Sequence, residues 1–86
     1  MKKNNNINEL KKVRKNIDNI DNEIIKLIAD RFKEIHKVTK LKDNQDQIID
    51  HERITHILKS VQSKAKKNKI DHEIITRIWQ IFINAR

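Results

Sequence analysis

Glu9–Lys42 reads ELKKVRKNIDNIDNEIIKLIADRFKEIHKVTKLK, with neither Gly nor Pro to interrupt it. Leu10, Val13, Ile17, Ile20, Ile24, Leu27, Ile28, Ile35 and Val38 recur at spacings of three and four. That is the stripe of a helix and not the alternation of a strand. Arg31 interrupts the stripe, three residues after Ile28 and four before Ile35. Arg14 stands beside it between Leu10 and Ile17, and Lys42 extends it four residues beyond Val38. Cations on a core-facing seam are costly unless something anionic meets them. Arg14, Arg31 and Lys42 are therefore the first candidate functional residues.

The length of this helix bears on association. About 34 residues at 1.5 Å each make a helix about 50 Å long. A compact chain of this size has a radius of gyration of about 12 Å, so the residues after Lys42 cannot cover the whole stripe. The geometry predicts a partner chain, most simply a two-fold homodimer.

Outward from this helix, Met1–Asn6 (MKKNNN) reads as a disordered tail, and residues 7–86 as one helical domain. The first helix is expected from about Ile7 to about Lys42. Asp43–Gln47 (DNQDQ) is polar and turn-prone. Ile48 and Ile49 lead to Asp50, an N-cap for a second helix with Ile54, Ile57, Leu58, Val61 and Ala65 on one face. Lys66–Lys69 (KKNK) reads as a solvated break. Asp71 is a second N-cap, with Ile70 and Ile75 spaced as a hydrophobic staple around it. The third helix carries Ile74, Ile75, Ile78, Trp79, Phe82 and Ile83. The fold class is all-α, three helices with a long first one.

Composition narrows the function. There is no cysteine, so disulfides, thiolate chemistry and cysteine metal sites are excluded. No run approaches the roughly 20 apolar residues of a membrane span, and MKKNNN lacks the apolar segment of a secretory signal; a cytoplasmic location is expected. The formal charge of +8 favours anionic partners. Its lysines scatter instead of forming a stripe, which argues against nucleic acid. Arginine is the better residue for gripping a carboxylate at two points, and Arg14, Arg31, Arg53, Arg77 and Arg86 are the whole set.

Each candidate also has a plain structural explanation. Arg14 and Arg31 could be rim arginines snorkelling from an apolar seam. They lie 17 positions apart, about 25 Å along the axis, so one small ligand cannot touch both on the same helix. Across an antiparallel dimer, Arg14 of one chain can approach Arg31 of the other and build two equivalent pockets. Asp50 and Arg53 could be a cap and a local ion pair. His36, His51, His56 and His72 lack metal-ligand spacing and read as surface residues. Trp79 and Phe82 read as core. No nucleophilic triad or Gly-rich phosphate loop is present.

In order, the segments ELKKVRKNIDNIDNEIIKLIADR, Lys40–Leu41–Lys42, DHER at Asp50–Arg53 and KIDHEIITRIWQIFI resemble the all-helical chorismate mutases and their relatives, the isochorismate pyruvate lyases. That family opens with a similar L-R-x-x-I-D-x-I-D pattern and an apolar run ending in A-x-R. The resemblance implies an intertwined homodimer that converts chorismate to prephenate in aromatic amino acid biosynthesis, without a cofactor. It implies that Arg14 reaches a substrate carboxylate from the partner subunit and that Arg31 binds a carboxylate from within the subunit. Lys42 would contact the ether oxygen of the breaking bond, Arg53 would complete the polar wall, and Asp50 would meet the substrate hydroxyl. Arg86 falls where many mutases have a serine. The family's last-helix glutamine, a second donor to the ether oxygen, aligns about four residues beyond Arg86; losing one such donor typically costs about 10²–10³-fold in rate. Either the sequence is shortened at its end, or donation rests on Lys42 with help from Arg86 in a weak enzyme.

Ile54 follows Arg53 where typical mutases have a glutamate and the lyases an apolar residue, whereas Asp50 matches the mutases. Isochorismate pyruvate lyase, releasing salicylate and pyruvate, is therefore the alternative activity. A non-catalytic basic helical dimer binding nucleic acid or a regulatory partner is the alternative of another class.

Overall fold

The computed structural model describes residues 2–41 and 50–85. Three helices account for nearly all of them, and no strand occurs among the described residues: α1 is Lys2–Leu41, α2 is His51–Lys67 and α3 is His72–Asn84. The chain divides into two compact units, Met1–Asp43 and Asn44–Arg86. The expected loop Asp43–Gln47, Ile48 and Ile49, and the candidate site residues Lys42 and Arg86, lie outside the described residues.

The first unit is α1. It begins at Lys2 and not at Ile7, so residues 2–6, expected as a tail, are helical. Once a helix is nucleated, each added residue gains a hydrogen bond without repeating the nucleation cost, and nothing in KKNNN blocks that propagation. Glu9–Lys12, Glu23–Lys26 and Glu34–Lys37 form ion pairs at i,i+3. These pairs are well exposed and contribute about 0.2–0.5 kcal/mol each, too little to explain a helix of this length. The apolar stripe is the larger reserve, and it is still wet: Leu10 is 47% exposed and Ile20 57%. Among the α1 residues 6–41, whose side chains are described, only Ile28 and Arg31 are half-buried.

The second unit is a hairpin of α2 and α3. Asp50 caps α2, its Oδ1 accepting the Arg53 N–H at 3.0 Å. Asp71 caps α3, accepting the Glu73 N–H at 2.9 Å. Between the helices the chain closes a Schellman turn. The Ile70 N–H donates to the Ala65 carbonyl at 2.9 Å and the Lys69 N–H to that of Lys66 at 3.2 Å. Lys69 takes the left-handed conformation, φ 58°, that glycine would favour. The helix therefore continues through Lys66 and Lys67, and the break falls at 68–71, slightly later than KKNK suggested.

Ile54, Ile57, Leu58 and Val61 are half-buried, and Ala65, 2% exposed, is the one fully buried hydrophobic among the described residues. From α3, Ile75, Trp79, Phe82 and Ile83 are half-buried. Trp79 and Phe82 meet edge to face, centroids 5.3 Å apart, an arrangement that suits aromatic quadrupoles. Gln62 Nε2 donates to Thr76 Oγ1 at 3.0 Å between the two helices. Ile74, 53% exposed, and Ile78 lie with Ile81, 67% exposed, on another face. Positions 74, 78 and 81 share one helix face, 75, 79 and 82 a different one, and α2 can cover only one of them.

Candidate active site

Arg14 and Arg31 both project from α1, where the Gly- and Pro-free run keeps the backbone regular between them. Arg14 is exposed and Arg31 half-buried. Within one chain α1 does not bring them together, because 17 residues of helix separate them by about 25 Å. Each can grip a carboxylate, but one chain's α1 cannot place both on a single small ligand.

Asp50 and Arg53 are brought together, at the start of α2. Asp50 sits in extended backbone (φ −111°, ψ 97°) with its side chain on the Arg53 amide, while its own carbonyl accepts the Ile54 N–H at 3.0 Å. That is the geometry of an N-cap, in which a side-chain oxygen replaces the missing carbonyl of a preceding turn. Both residues are exposed. The cap expected there is formed and the local ion pair expected with it is not; the described ion pairs all lie on α1. Ile54 is half-buried on the face that carries Ile57, Leu58 and Val61.

The four histidines are exposed, and among the described residues no group of His, Cys, Asp or Glu could hold a metal ion. No described helix is long and apolar enough to cross a membrane. Trp79 and Phe82 pack in the hairpin, as expected of core residues. The Gln62–Thr76 contact had no signal in the sequence, since only the folded hairpin brings residues 14 positions apart into reach.

The chain matches the family model described as chorismate mutase type II over residues 13–85. That span includes Arg14, Arg31, Lys42, Asp50 and Arg53 and stops one residue before Arg86. The chain is 37% identical over 78 residues to a chorismate mutase of Methanocaldococcus jannaschii, covering 90% of this chain and 79% of that protein. It is also 37% identical over 78 residues to a bifunctional chorismate mutase/prephenate dehydratase of Buchnera aphidicola subsp. Schizaphis graminum. A protein of the same description from Buchnera aphidicola subsp. Acyrthosiphon pisum is 35% identical over 77 residues. Each alignment covers 88% of this chain but 20% of the bifunctional protein. No solved structure gives a significant match. A family match over residues 13–85, together with 37% identity to a chorismate mutase over 90% of the chain, identifies this chain as a member of the chorismate mutase type II family.

Proposed function

We propose that this chain catalyses the rearrangement of chorismate to prephenate, in the cytoplasm, as a homodimer with two sites shared between subunits. The observation that carries the activity is the family match over residues 13–85, which spans five of the six candidate site residues in their expected order. The chemistry suits them. A pericyclic rearrangement needs no nucleophile, metal or general base. It needs the enolpyruvyl ether held in a near-attack geometry and fixed positive charge where the ether oxygen gains electron density. In this reading Arg14 of the partner subunit and Arg31 hold the two carboxylates, Lys42 donates to the ether oxygen, and Arg53 closes the polar wall.

The shared site draws support from the exposed stripe of α1. Leu10, Ile17, Ile24, Arg31 and Val38 follow one another at seven-residue intervals, and Val13, Ile20, Leu27, Glu34 and Leu41 run three residues behind them. A sustained seven-residue repeat is the pattern of two helices wound around each other. A parallel, in-register pair would set Arg31 against Arg31 and Glu34 against Glu34 in the seam, at a cost in unpaired like charge. An antiparallel pair avoids this and carries the Arg14 end of one helix toward the Arg31 end of the other.

Ile54 beside Arg53 favours a second reading, isochorismate pyruvate lyase acting through the same cations. Both substrates carry two carboxylates and an enolpyruvyl ether, so assaying the purified protein on each decides between them. Prephenate from chorismate is the expected result. Salicylate from isochorismate, with chorismate left untouched, would overturn the mutase reading.

A further inference from the structure

Three ion pairs occur among the described residues, Glu9–Lys12, Glu23–Lys26 and Glu34–Lys37, and each joins an acid to a base three positions on. Asp50 and Arg53 have the same spacing and opposite charges, yet they do not pair through their side chains. The Asp50 carboxylate is instead engaged by the backbone, its Oδ1 accepting the Arg53 N–H at 3.0 Å. The cap therefore does two things at once. It fixes the first turn of α2, from which Arg53 projects, and it engages the Asp50 carboxylate without a side-chain ion pair to Arg53. An arginine neutralised by an acid on its own helix is a poor receptor for a substrate carboxylate, because that acid must first be displaced.

We infer that Asp50 is a positioning residue that acts through Arg53, its side chain setting the backbone from which the guanidinium projects. The inference rests on the proposed mutase activity and changes the part Asp50 plays in it. Serine and asparagine are N-caps as good as aspartate, whereas alanine is not. A short serine hydroxyl spent on the cap cannot also reach a substrate. The side chains at position 50 thus separate the two roles.

The experiment compares Asp50→Ala, Asp50→Ser and Asp50→Asn by thermal unfolding and by steady-state kinetics on chorismate. With the cap lost, Asp50→Ala should lower Tm by about 4–8 °C and raise KM by about ten-fold through a misplaced Arg53, with a smaller change in kcat. Asp50→Ser should bring Tm back to within about 2 °C and KM to within about three-fold of the wild type. Asp50→Ala added to Arg53→Ala should raise KM no further than Arg53→Ala alone, since the two act as one unit. Asp50→Ser and Asp50→Asn variants that restore Tm but keep the raised KM of Asp50→Ala would overturn the inference and return the carboxylate to the substrate. Additive effects of Asp50→Ala and Arg53→Ala would overturn it as well. A wild-type protein that turns over neither chorismate nor isochorismate would overturn the proposed activity, and the positioning role with it, whatever the Tm series reads.

Discussion

If Lys42 stabilises charge that develops only as the ether bond breaks, Lys42→Ala should lower kcat by about 10²–10³-fold and leave KM nearly unchanged. Lys42→Gln should recover part of that loss, because a neutral donor still reaches the oxygen. Steady-state kinetics on chorismate checks both; a raised KM with kcat intact would instead make Lys42 a ground-state carboxylate ligand. Residues of this kind are legible in a sequence as interruptions. Arg31 breaks an apolar series, Lys42 extends it, and Arg14 stands beside it. Chemical roles are not legible that way, since periodicity records which face a residue occupies and not what it binds; the roles proposed for these three rest on the family pattern. Asp50 shows the same limit more finely. Its position marked it as a cap and as half of a local ion pair, and of the two only the cap is formed, its Oδ1 accepting the Arg53 N–H.

Helices, by contrast, were readable almost to the residue where a cap or an apolar face declared them. Asp50 and Asp71 begin α2 and α3 as their side chains predicted. The start of α1 was not readable, because an asparagine-rich lead weakens a helix without ending it, and propagation carried the helix back to Lys2. The turn after α2 was only partly readable, since a left-handed residue usually announces itself as glycine and this chain has none. Lys69 holds φ 58° in that turn, at a cost of about 1–2 kcal/mol for its side chain. Lys69→Gly should therefore stabilise the hairpin by about 0.5–1 kcal/mol, after allowing for the greater freedom of glycine in the unfolded chain. Chemical denaturation checks this: the midpoint should rise at constant m-value, and a fall would show that Lys69 makes a compensating interaction. The two faces of α3 were also merged in the sequence. Ile74, Ile78 and Ile81 alternate with Ile75, Trp79 and Phe82 so closely that only the docking of α2 tells them apart.

On the scale of the whole molecule, the fold class was legible because composition, periodicity and caps all pointed to helices. Association was legible only as a need: α1 is long and its stripe remains half-exposed along its length. The partner and the direction of packing cannot be read from one chain's periodicity, which is why the charges at Arg31 and Glu34 bear on the choice. Subunit sharing is the claim on which site, dimer and mechanism all depend, and complementation between two inactive variants tests it most directly. Arg14→Ala and Lys42→Ala should each lower turnover of chorismate by about 100-fold or more when assayed alone. Unfolded and refolded together, with formation of mixed dimers confirmed by mass, they should regain about one working site in two within each mixed dimer. One pocket then collects Arg14 and Lys42 intact, and the other collects both defects. Mixed dimers that form yet stay as inactive as either parent would show that Arg14 does not act across the interface, and would contradict the shared site.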